Sequence, residues 1–223
     1  MSNILIIGAS RGLGLEFARQ YVEAGDRVLA TARDAAARER LQALGVENVL
    51  TVDVADPASV SGLAWMLDGE KIDTALYVAG AMERGDALSP PTQQQFDRVM
   101  HTNVLGAMQA LVQVAPLVEA AQGRFAFISS SLGRIGEVES SHTWLYRVSK
   151  AALNMAVASA QHDYPQATLV ALNPGWVQTD MGGDQAPLTA PESVAAMRAT
   201  LARLTPAQRG QFLERDGSPF ASW

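Results

Sequence analysis

The amino-acid sequence predicts an α/β fold in which one parallel sheet is doubly wound, with helices on both of its faces. Short apolar runs rich in β-branched residues, beginning with Asn3–Ile7, alternate along the chain with helical patterns, as in successive βαβ units. The first run ends in a glycine-rich turn over residues 8–14, which opens directly into a helix. With 223 residues, 48% of them apolar, the chain can bury a large core. We therefore expect a single domain over residues 1–223.

The predicted elements alternate from one end of the chain to the other. Strands are predicted at residues 3–7, 27–32, 48–52, 72–78, 124–128, 167–172 and, as a last short strand, 210–213. A helical pattern follows the glycine-rich turn and ends at residue 24. Further helical patterns cover residues 35–44, 92–122 (as one long helix or two), 143–162 and 190–204. A further helix is expected to begin at Asp56-Pro57, and Thr189 with Glu192 has the spacing of a capping box.

Composition and charge exclude several classes of function. The chain has no cysteine, and its three histidines are scattered, so we expect neither disulfides nor a metal site. The net charge of −6 argues against nucleic acid as a partner. No apolar run reaches the ~20 residues that span a bilayer, and the start of the chain lacks the pattern of a secretion signal. We expect a cytoplasmic protein without a membrane partner.

The glycine-rich turn predicts a Rossmann-type dinucleotide site. Gly8 permits the tight turn, Gly12 lets the backbone approach a pyrophosphate, and Gly14 lets the helix pack close to the sheet. The N-terminus of that helix would face the phosphates with unpaired N–H groups and the positive end of its dipole. The remaining residues expected to contact the cofactor in this turn are Ser10, Arg11 and Leu13. The alternative interpretation is an ordinary βα loop.

The end of the second strand indicates which cofactor is used. An acidic side chain there would hold the ribose 2′-hydroxyl of NAD, whereas an arginine accommodates the 2′-phosphate of NADP. Here the strand ends at Ala32 and is followed by Arg33, which favours NADP(H). Arg11 could supply a second charge-assisted contact to the phosphate. Asp34 is the competing candidate as a ribose ligand, but we interpret it as the N-cap of the next helix.

Tyr146 and Lys150 form the second chemical signal. On one helix they are four residues apart, so the phenol and the ammonium share a face. A fixed cation at that distance favours the phenolate, which would lower the tyrosine pKa and let the hydroxyl exchange protons with a substrate oxygen. Of the 17 basic residues 15 are arginine, and Lys71 is the one other lysine, so Lys150 has a chemical reason to be lysine. The alternative is a surface helical pair.

Taken together, these motifs resemble the short-chain dehydrogenase/reductase family. Its marks are the spacing Gly-x-x-x-Gly-x-Gly, a downstream serine and Tyr-x-x-x-Lys, and here the resemblance runs from Ile4 to about Met181. Within that family, the stretch of residues 175–183 and the tail ending in Trp223 are most similar to the C-factor-like group.

The resemblance implies roles for four catalytic residues. Tyr146 would be the general acid/base, and Lys150 would lower its pKa and hold the nicotinamide ribose. Ser130 would hydrogen-bond the substrate carbonyl oxygen, with Ser129 and Ser131 as alternatives if the register slips by one residue. Asn103 would distort its helix so that its backbone carbonyl holds a water against the lysine. An asparagine inside a helix could also lie on a solvated face or mark a local kink.

The resemblance also implies the rest of the cofactor site. Contacts to adenine are expected from Asp53 and Val54, and a simple loop carboxylate is the alternative for Asp53. The backbone at Ala79 and Gly80 would pass close to the ribose. The loop after the sixth strand would hold the carboxamide, through Pro174, Gly175, Val177 and Thr179. The chain departs from the family pattern at Ile7 and Val78, where we expect altered local packing and no loss of chemistry.

The substrate pocket is expected to be apolar. Its candidate lining residues are Trp144, Trp176 and Met181. A loop through residues 134–144 adds Glu137, Glu139 and His142 as further candidates, with a solvated loop as the alternative for the two glutamates. The substrate loop and lid are expected over about residues 175–190, where paired glycines and the absence of periodicity indicate a mobile lid over residues 181–187.

The sequence therefore predicts an NADP(H)-dependent oxidoreductase that interconverts a small-molecule carbonyl and an alcohol. A non-catalytic NADP(H)-binding sensor on the same fold is the first alternative, and an S-adenosylmethionine transferase on a similar sheet is the second. The helix over residues 143–162 is rich in small residues, which is typical of a helix buried on two sides. We accordingly expect a homo-oligomer, a dimer or a tetramer, although burial within one subunit would give the same composition.

Overall fold

The computed structural model describes all residues, 1–223, around one seven-stranded sheet whose strands are all parallel. The strands are β1 (Asn3–Ile7), β2 (Arg27–Ala32), β3 (Asn48–Thr51), β4 (Thr74–Tyr77), β5 (Arg124–Ile128), β6 (Thr168–Asn173) and β7 (Phe212–Glu214). Their spatial order is β3-β2-β1-β4-β5-β6-β7, so the chain reverses its direction of travel between β1 and β4. The doubly wound fold predicted from the sequence is confirmed.

Eight α-helices connect and cover the strands. They are α1 (Gly12–Glu23), α2 (Ala35–Ala43), α3 (Pro57–Ser61), α4 (Leu63–Met66), α5 (Gln93–Met100), α6 (Gly106–Ala120), α7 (Trp144–Ala160) and α8 (Ala190–Arg203). The predicted long helix over 92–122 is two helices, α5 and α6, joined by a π-helical segment, His101–Leu105. None of the helices is both long and apolar enough to cross a membrane.

Alternation along each strand divides the apolar residues between two cores. In β1, Leu5 and Ile7 belong to the core beneath α3, α4, α6 and α7. Ile4 and Ile6 belong to the core beneath α1, α2 and α8. Because strands buried on both faces read as continuous apolar runs, this arrangement explains why β1 shows no polar alternation. The predicted helices on both faces are therefore confirmed.

Side-chain caps fix the starts of four helices, α2, α3, α5 and α8. The Asp34 carboxylate accepts a hydrogen bond of 2.8 Å from the Ala37 N–H, so this residue caps α2 as expected. Asp56 caps α3 in the same way. Thr189 and Glu192 form the predicted capping box at α8. The start of α1 is different, because no side chain caps it.

Candidate active site

The site lies at the carboxyl edge of the sheet, where the loops after β1 and β4 separate. In open parallel sheets, ligands bind at this reversal of strand order. Gly8, at φ 93°, leads the chain out of β1, and a Cβ there would lie 2.6 Å from the Ala79 backbone nitrogen. A Cβ on Gly14 would lie 2.2 Å from the Gly8 carbonyl oxygen. Both positions therefore require glycine, one for the turn and its neighbour and the other for close packing of α1.

The N-terminus of α1 has the properties of an anion site. Its N-cap position, Arg11, has extended backbone and gives no side-chain cap, so the first N–H groups of the helix keep their hydrogen-bonding capacity. Gly12 is exposed and Ser10 is half-buried, whereas the Leu13 side chain packs against the core. These residues fit the pyrophosphate of a dinucleotide.

Two arginines, Arg33 and Arg40, lie on the β2 side of the glycine turn. Arg33 directly follows β2, is exposed, and forms no ion pair. Arg40, on α2, donates a hydrogen bond of 3.2 Å to the Ser10 carbonyl, which places a second guanidinium at the turn. The sequence did not single out Arg40, because its approach depends on how α2 packs beside the turn. Asp34 is occupied as an N-cap, which disfavours it as a ribose ligand.

Arg11 has an acidic partner that the sequence did not indicate. Its guanidinium lies 2.7 Å from the Asp180 carboxylate, and the two side chains are 68% and 74% exposed. The pair joins the glycine turn to the loop that follows β6. A surface pair of this kind contributes about 0–1 kcal/mol and weakens with salt. The contact of Arg11 with a 2′-phosphate stays a prediction.

The expected adenine and ribose positions are placed around the same cleft. The Asp53 carboxylate accepts a hydrogen bond of 3.0 Å from the Ala55 N–H, so it has a local structural role as well as its predicted one. Val54 is buried in a core. A Cβ on Gly80 would lie within 4.0 Å of three side-chain atoms, Asn103 Oδ1, Lys150 Nζ and Met181 Cε. The adenine and ribose contacts themselves stay predictions.

Asn103 lies in the π-helical segment and is fully buried, so it does not belong to a solvated face. Its amide oxygen accepts from the Ala81 N–H at 2.7 Å, and its amide nitrogen donates to the Ala81 carbonyl at 2.8 Å and to Ser149 Oγ at 2.9 Å. One side chain therefore ties the loop after β4 to α7. The predicted local distortion is confirmed, and the water held by the Asn103 carbonyl stays a prediction.

Tyr77 and Gly106 complete the distortion. The Gly106 N–H bonds to the His101 carbonyl, five residues back. Tyr77 donates its hydroxyl to the Thr102 carbonyl at 2.6 Å. A Cβ on Gly106 would lie 2.2 Å from the Val54 carbonyl oxygen and 2.9 Å from the Tyr77 hydroxyl. The phenol thus satisfies a carbonyl that the wider turn releases from the regular helical pattern.

Among the three consecutive serines, the structure favours Ser130. Ser129 is buried and donates to Asn154 Oδ1 at 2.5 Å, so its hydroxyl is already used inside the fold. Ser131 is exposed and begins a 3₁₀ turn. Ser130 Oγ accepts from the Leu132 N–H at 3.1 Å and lies beside the Tyr146 hydroxyl, whose pKa it lowers.

Tyr146 and Lys150 are both buried, and the predicted lowering of the tyrosine pKa is not found. Burial raises the pKa of Tyr146 to about 12, opposed by the hydrogen bond with Ser130. Burial also lowers the pKa of Lys150 to about 7, so its charge is partial at neutral pH. The Lys150 ammonium lies 5.5 Å from the centre of the Tyr146 ring and donates to the Ile128 carbonyl at 2.7 Å. Side chains of the protein alone therefore do not favour the phenolate.

The loop after β6 is folded on itself. Thr179 Oγ1 accepts from the Gly182 N–H at 3.1 Å, and Trp176 Nε1 donates to the Gly182 carbonyl at 2.8 Å. Val177 is buried and pairs with Leu188, while Pro174 is buried and Gly175 has φ 80°. The loop reaches the glycine turn, because Thr179 Cγ2 lies 3.6 Å from where a Gly12 Cβ would be. Its carboxamide contacts and its mobility as a lid stay predictions.

The candidate pocket residues come from two parts of the chain, the loop after β6 and the start of α7 with the loop before it. Trp176 is 57% exposed, and Met181 reaches the surroundings of Gly80. Trp144 is half-buried at the first position of α7. Glu137 is exposed and paired with Arg134, in agreement with the solvated alternative. The two other candidates from the loop before α7, Glu139 and His142, are both exposed.

Comparison with known proteins identifies the family. Residues 2–188 match the short chain dehydrogenase family. This chain belongs to that family. The 1-hydroxy-2-glutathionyl-2-methyl-3-butene dehydrogenase of Rhodococcus sp. (strain AD45) is 30% identical to it over the full length of both chains. The C-signal of Myxococcus xanthus is 36% identical over 66% of this short-chain dehydrogenase and 90% of that protein, which supports the predicted similarity to the C-factor-like group.

Solved structures give this short-chain dehydrogenase the fold of carbonyl reductases. An NADPH-bound carbonyl reductase from chicken fatty liver superimposes with a TM-score of 0.90 at 28% identity, covering 100% of this chain and 99% of that one. The structure shows where the two residues that depart from the family pattern, Ile7 and Val78, are packed. Ile7 is fully buried in one core, and Val78 packs against the other. That their packing differs from the packing in relatives stays a prediction.

The depressed pKa of Lys150 makes stability depend on pH. Between the folded value of about 7 and the unfolded value of ~10.4, the unfolded chain binds a proton that the folded protein does not. The free energy of unfolding of the wild type, relative to Lys150→Met, should therefore rise from pH 7 to pH 10, by at most about 1.4 kcal/mol per pH unit. Below about pH 7 the difference should level off.

Urea unfolding followed by tryptophan fluorescence at several pH values measures this difference. Lys71→Met is the matched control, because it removes the chain's other lysine from an exposed position. The control should stay parallel to the wild type over the same range. A constant difference between wild type and Lys150→Met from pH 7 to pH 10 would contradict the burial argument.

Proposed function

We propose that this short-chain dehydrogenase is an NADP(H)-dependent oxidoreductase that interconverts a carbonyl and an alcohol. The observation that carries the proposal is the convergence of Ser130, Tyr146 and Lys150 at the same carboxyl edge of the sheet as the uncapped N-terminus of α1, with Asn103 holding the loop after β4 to α7. When bound, the nicotinamide supplies the hydride to the substrate carbon, or accepts it. The protein's own residues then have to manage one proton and the charge on one oxygen.

Tyr146 is the group proposed to move that proton. In reduction its hydroxyl donates to the substrate oxygen as charge builds up there, and in oxidation the phenolate takes the proton back. Because burial raises the pKa of Tyr146 to about 12, the neutral phenol prevails, and a neutral phenol can donate a proton but cannot accept one. The reductive direction, in which the neutral phenol is the starting form, is therefore the direction that we propose.

Ser130 and Lys150 are proposed to assist from two sides. Ser130 Oγ lies beside the Tyr146 hydroxyl, from where it can hydrogen-bond the same substrate oxygen and stabilise its developing charge. Lys150 in its protonated form would lower the pKa of Tyr146 and bind the nicotinamide ribose. Its partial charge near neutral pH makes that assistance depend on proton uptake by a buried amine.

The preference for NADP(H) is supported by charge at the turn. Arg33 is exposed at the end of β2 with no acidic partner, and Arg40 adds a guanidinium beside Ser10. Both suit the dianionic 2′-phosphate better than a neutral hydroxyl. The chicken carbonyl reductase that shares this fold binds NADPH.

The proposed substrate is a small molecule with an apolar part next to its carbonyl or alcohol. Trp176 is 57% exposed at the cleft, and Met181 reaches toward Gly80 and Lys150. Apolar side chains left accessible beside a polar reaction centre are typical of pockets that bind such ligands.

A signalling protein that binds NADP(H) without relevant turnover is the second candidate. The similarity to the Myxococcus C-signal is the observation that favours it. The two candidates differ in one respect that can be measured, because turnover requires the Tyr146 hydroxyl and cofactor binding alone does not.

We also propose that the protein forms a homo-oligomer through the outer faces of α6 and α7. Met108 and Val112 on α6 are 49% and 61% exposed, and Val148 and Met155 on α7 are 52% and 68% exposed. Both helices cover the same face of the sheet. Apolar side chains at helical spacing on the outer faces are typical of helices that are buried on two sides.

Replacement of the proposed proton donor tests whether the protein is an enzyme. Tyr146→Phe should lower kcat for an aldehyde by about 10²–10⁴-fold, while the Kd for NADPH stays within about twofold, because the ring still fills its buried place. Steady-state kinetics and nicotinamide fluorescence measure the two quantities. Tyr164→Phe, beyond the other end of α7, is the control and should leave both unchanged. Retained turnover in Tyr146→Phe would remove the proposed acid.

Charge reversal at the end of β2 tests the cofactor preference. Arg33→Asp should weaken NADPH binding by about tenfold to a hundredfold, since it replaces a favourable charge pair with a repulsive one, and should leave NADH binding nearly unchanged. Fluorescence titration at one fixed ionic strength measures both affinities. Arg203→Asp makes the same charge change at the exposed last residue of α8 and should have little effect on either. Equal losses for both cofactors in Arg33→Asp would defeat the assignment.

Light scattering after size exclusion tests the proposed assembly. The wild type should have the mass of a dimer or tetramer, and Val112→Glu with Met155→Glu should reduce it to that of a monomer, because charges on the outer faces would be buried without partners. Leu88→Glu is the control, since Leu88 is 91% exposed and lies outside both helices. A monomeric wild type at micromolar concentration would end this proposal.

A further inference from the structure

The geometry points to a positioning role for residues 220–223 in the specificity of this site. We propose that this segment, Phe220 to Trp223, holds the loop of residues 134–143 in place and so determines which carbonyl compounds reach Ser130 and Tyr146. The proposal rests on the proposed function for its effect on specificity. It goes beyond it in assigning a task to the end of the chain, which follows the last strand and lies far in sequence from the catalytic serine, tyrosine and lysine.

The loop starts against the helix that carries the proposed catalytic residues. The 3₁₀ turn Ser131–Gly133 follows Ser130 directly. A Cβ on Gly133 would lie 2.9 Å from the Lys150 carbonyl carbon, so the chain passes as close to α7 as backbone atoms allow. The residues that follow Gly133 therefore start from a point that is fixed against the helix that carries Tyr146 and Lys150.

The next three residues of the loop are held by residues 222 and 223. A main-chain oxygen of Trp223 accepts hydrogen bonds from the N–H groups of Ile135, at 2.9 Å, and of Gly136, at 3.2 Å. Arg134 Nε donates to the Ser222 carbonyl at 3.3 Å, and its Nη2 donates to Ser222 Oγ at 3.2 Å. Four hydrogen bonds thus connect consecutive loop residues to two residues of the segment.

The segment is in turn anchored on the sheet. Phe220 stacks on Phe212 of β7 with ring centres 4.3 Å apart, and the Arg134 guanidinium lies 4.6 Å above the Phe220 ring. The Phe220 N–H donates to the Phe212 carbonyl at 3.1 Å, and the Trp223 ring lies 5.9 Å from that of Phe212. Because β7 pairs with β6, this stack fixes the position of the loop relative to the central sheet.

Two exposed apolar residues of the loop connect its position with substrate specificity. Ile135 is 74% exposed and Val138 is 55% exposed, both in the loop that joins Ser130 to Tyr146. An apolar surface held beside a reaction centre contacts a bulky apolar ligand more extensively than a small one. If Ile135 is no longer held in place, binding of bulky substrates should therefore weaken more than binding of small ones.

The test compares a bulky and a small aldehyde as substrates of the 223-residue protein and of its variants. Phe220→Ala removes the stack on Phe212 and Arg134, Phe220→Tyr restores a ring as the matched control, and a chain ending at Pro219 removes the segment. NADPH-dependent reduction of 4-nitrobenzaldehyde and of propanal gives KM and kcat for each. Hydrogen exchange at the Ile135 and Gly136 amides reports the restraint without any turnover.

For Phe220→Ala and for the shortened chain, amide exchange at Ile135 and Gly136 should accelerate at least tenfold. KM for 4-nitrobenzaldehyde should rise at least fivefold, while kcat and KM for propanal and the Kd for NADPH stay within twofold. Phe220→Tyr should behave as the wild type. If the shortened chain does not fold, Phe220→Ala decides the outcome alone.

Unchanged exchange at Ile135 and Gly136 would overturn the positioning role. Accelerated exchange with equal losses for both aldehydes would overturn the role in specificity, because a general loss of order affects every substrate. If the wild type reduces neither aldehyde with NADPH, the proposed function fails and the specificity claim with it, and the exchange rates still decide whether the segment positions the loop.

Discussion

The buried amide of Asn103 is the interaction on which the rest of the site depends. It saturates both backbone groups of Ala81 and reaches Ser149 on α7, so it fixes the loop after β4 relative to the helix that carries Tyr146 and Lys150. A regular α-helix would not place this side chain in the same way, and the extra residue of the π-helical turn provides the change of register. Burial of this amide without hydrogen-bond partners would cost several kcal/mol of stability. The hydrogen bonds of Asn103 are therefore expected to form together or not at all.

Burial away from water determines the pKa values of Tyr146 and Lys150. Tyr146 and Lys150 are 8% and 3% exposed, and their pKa values move toward the neutral forms of both groups. Only a lysine can respond in this way, since a guanidinium keeps its proton under all physiological conditions. Burial therefore gives a reason for lysine at position 150 in a chain with 15 arginines and two lysines, and the amine donates its hydrogen bond to the Ile128 carbonyl.

The sequence was sufficient wherever a signal is local. The glycines of the turn, the cap at Asp34 and the four-residue spacing of Tyr146 and Lys150 depend on a few neighbouring residues, and each was placed correctly on its element. The partners that come from distant elements were missed. Arg40 meets Ser10, Tyr77 meets Thr102 and Asp180 meets Arg11 only because separate elements pack together. The direction of the Tyr146 pKa shift was wrong for the same reason, since spacing on a helix says nothing about desolvation.

The ion pair between Arg11 and Asp180 joins the glycine turn to the loop after β6, next to the contact between Thr179 and Gly12. Asp180 directly precedes Met181, whose side chain reaches the surroundings of Gly80. Any anion that binds Arg11 has to compete with the Asp180 carboxylate for the same guanidinium. Dissolved salt screens this exposed pair, so we expect the contact between the glycine turn and the loop after β6 to loosen as the ionic strength rises.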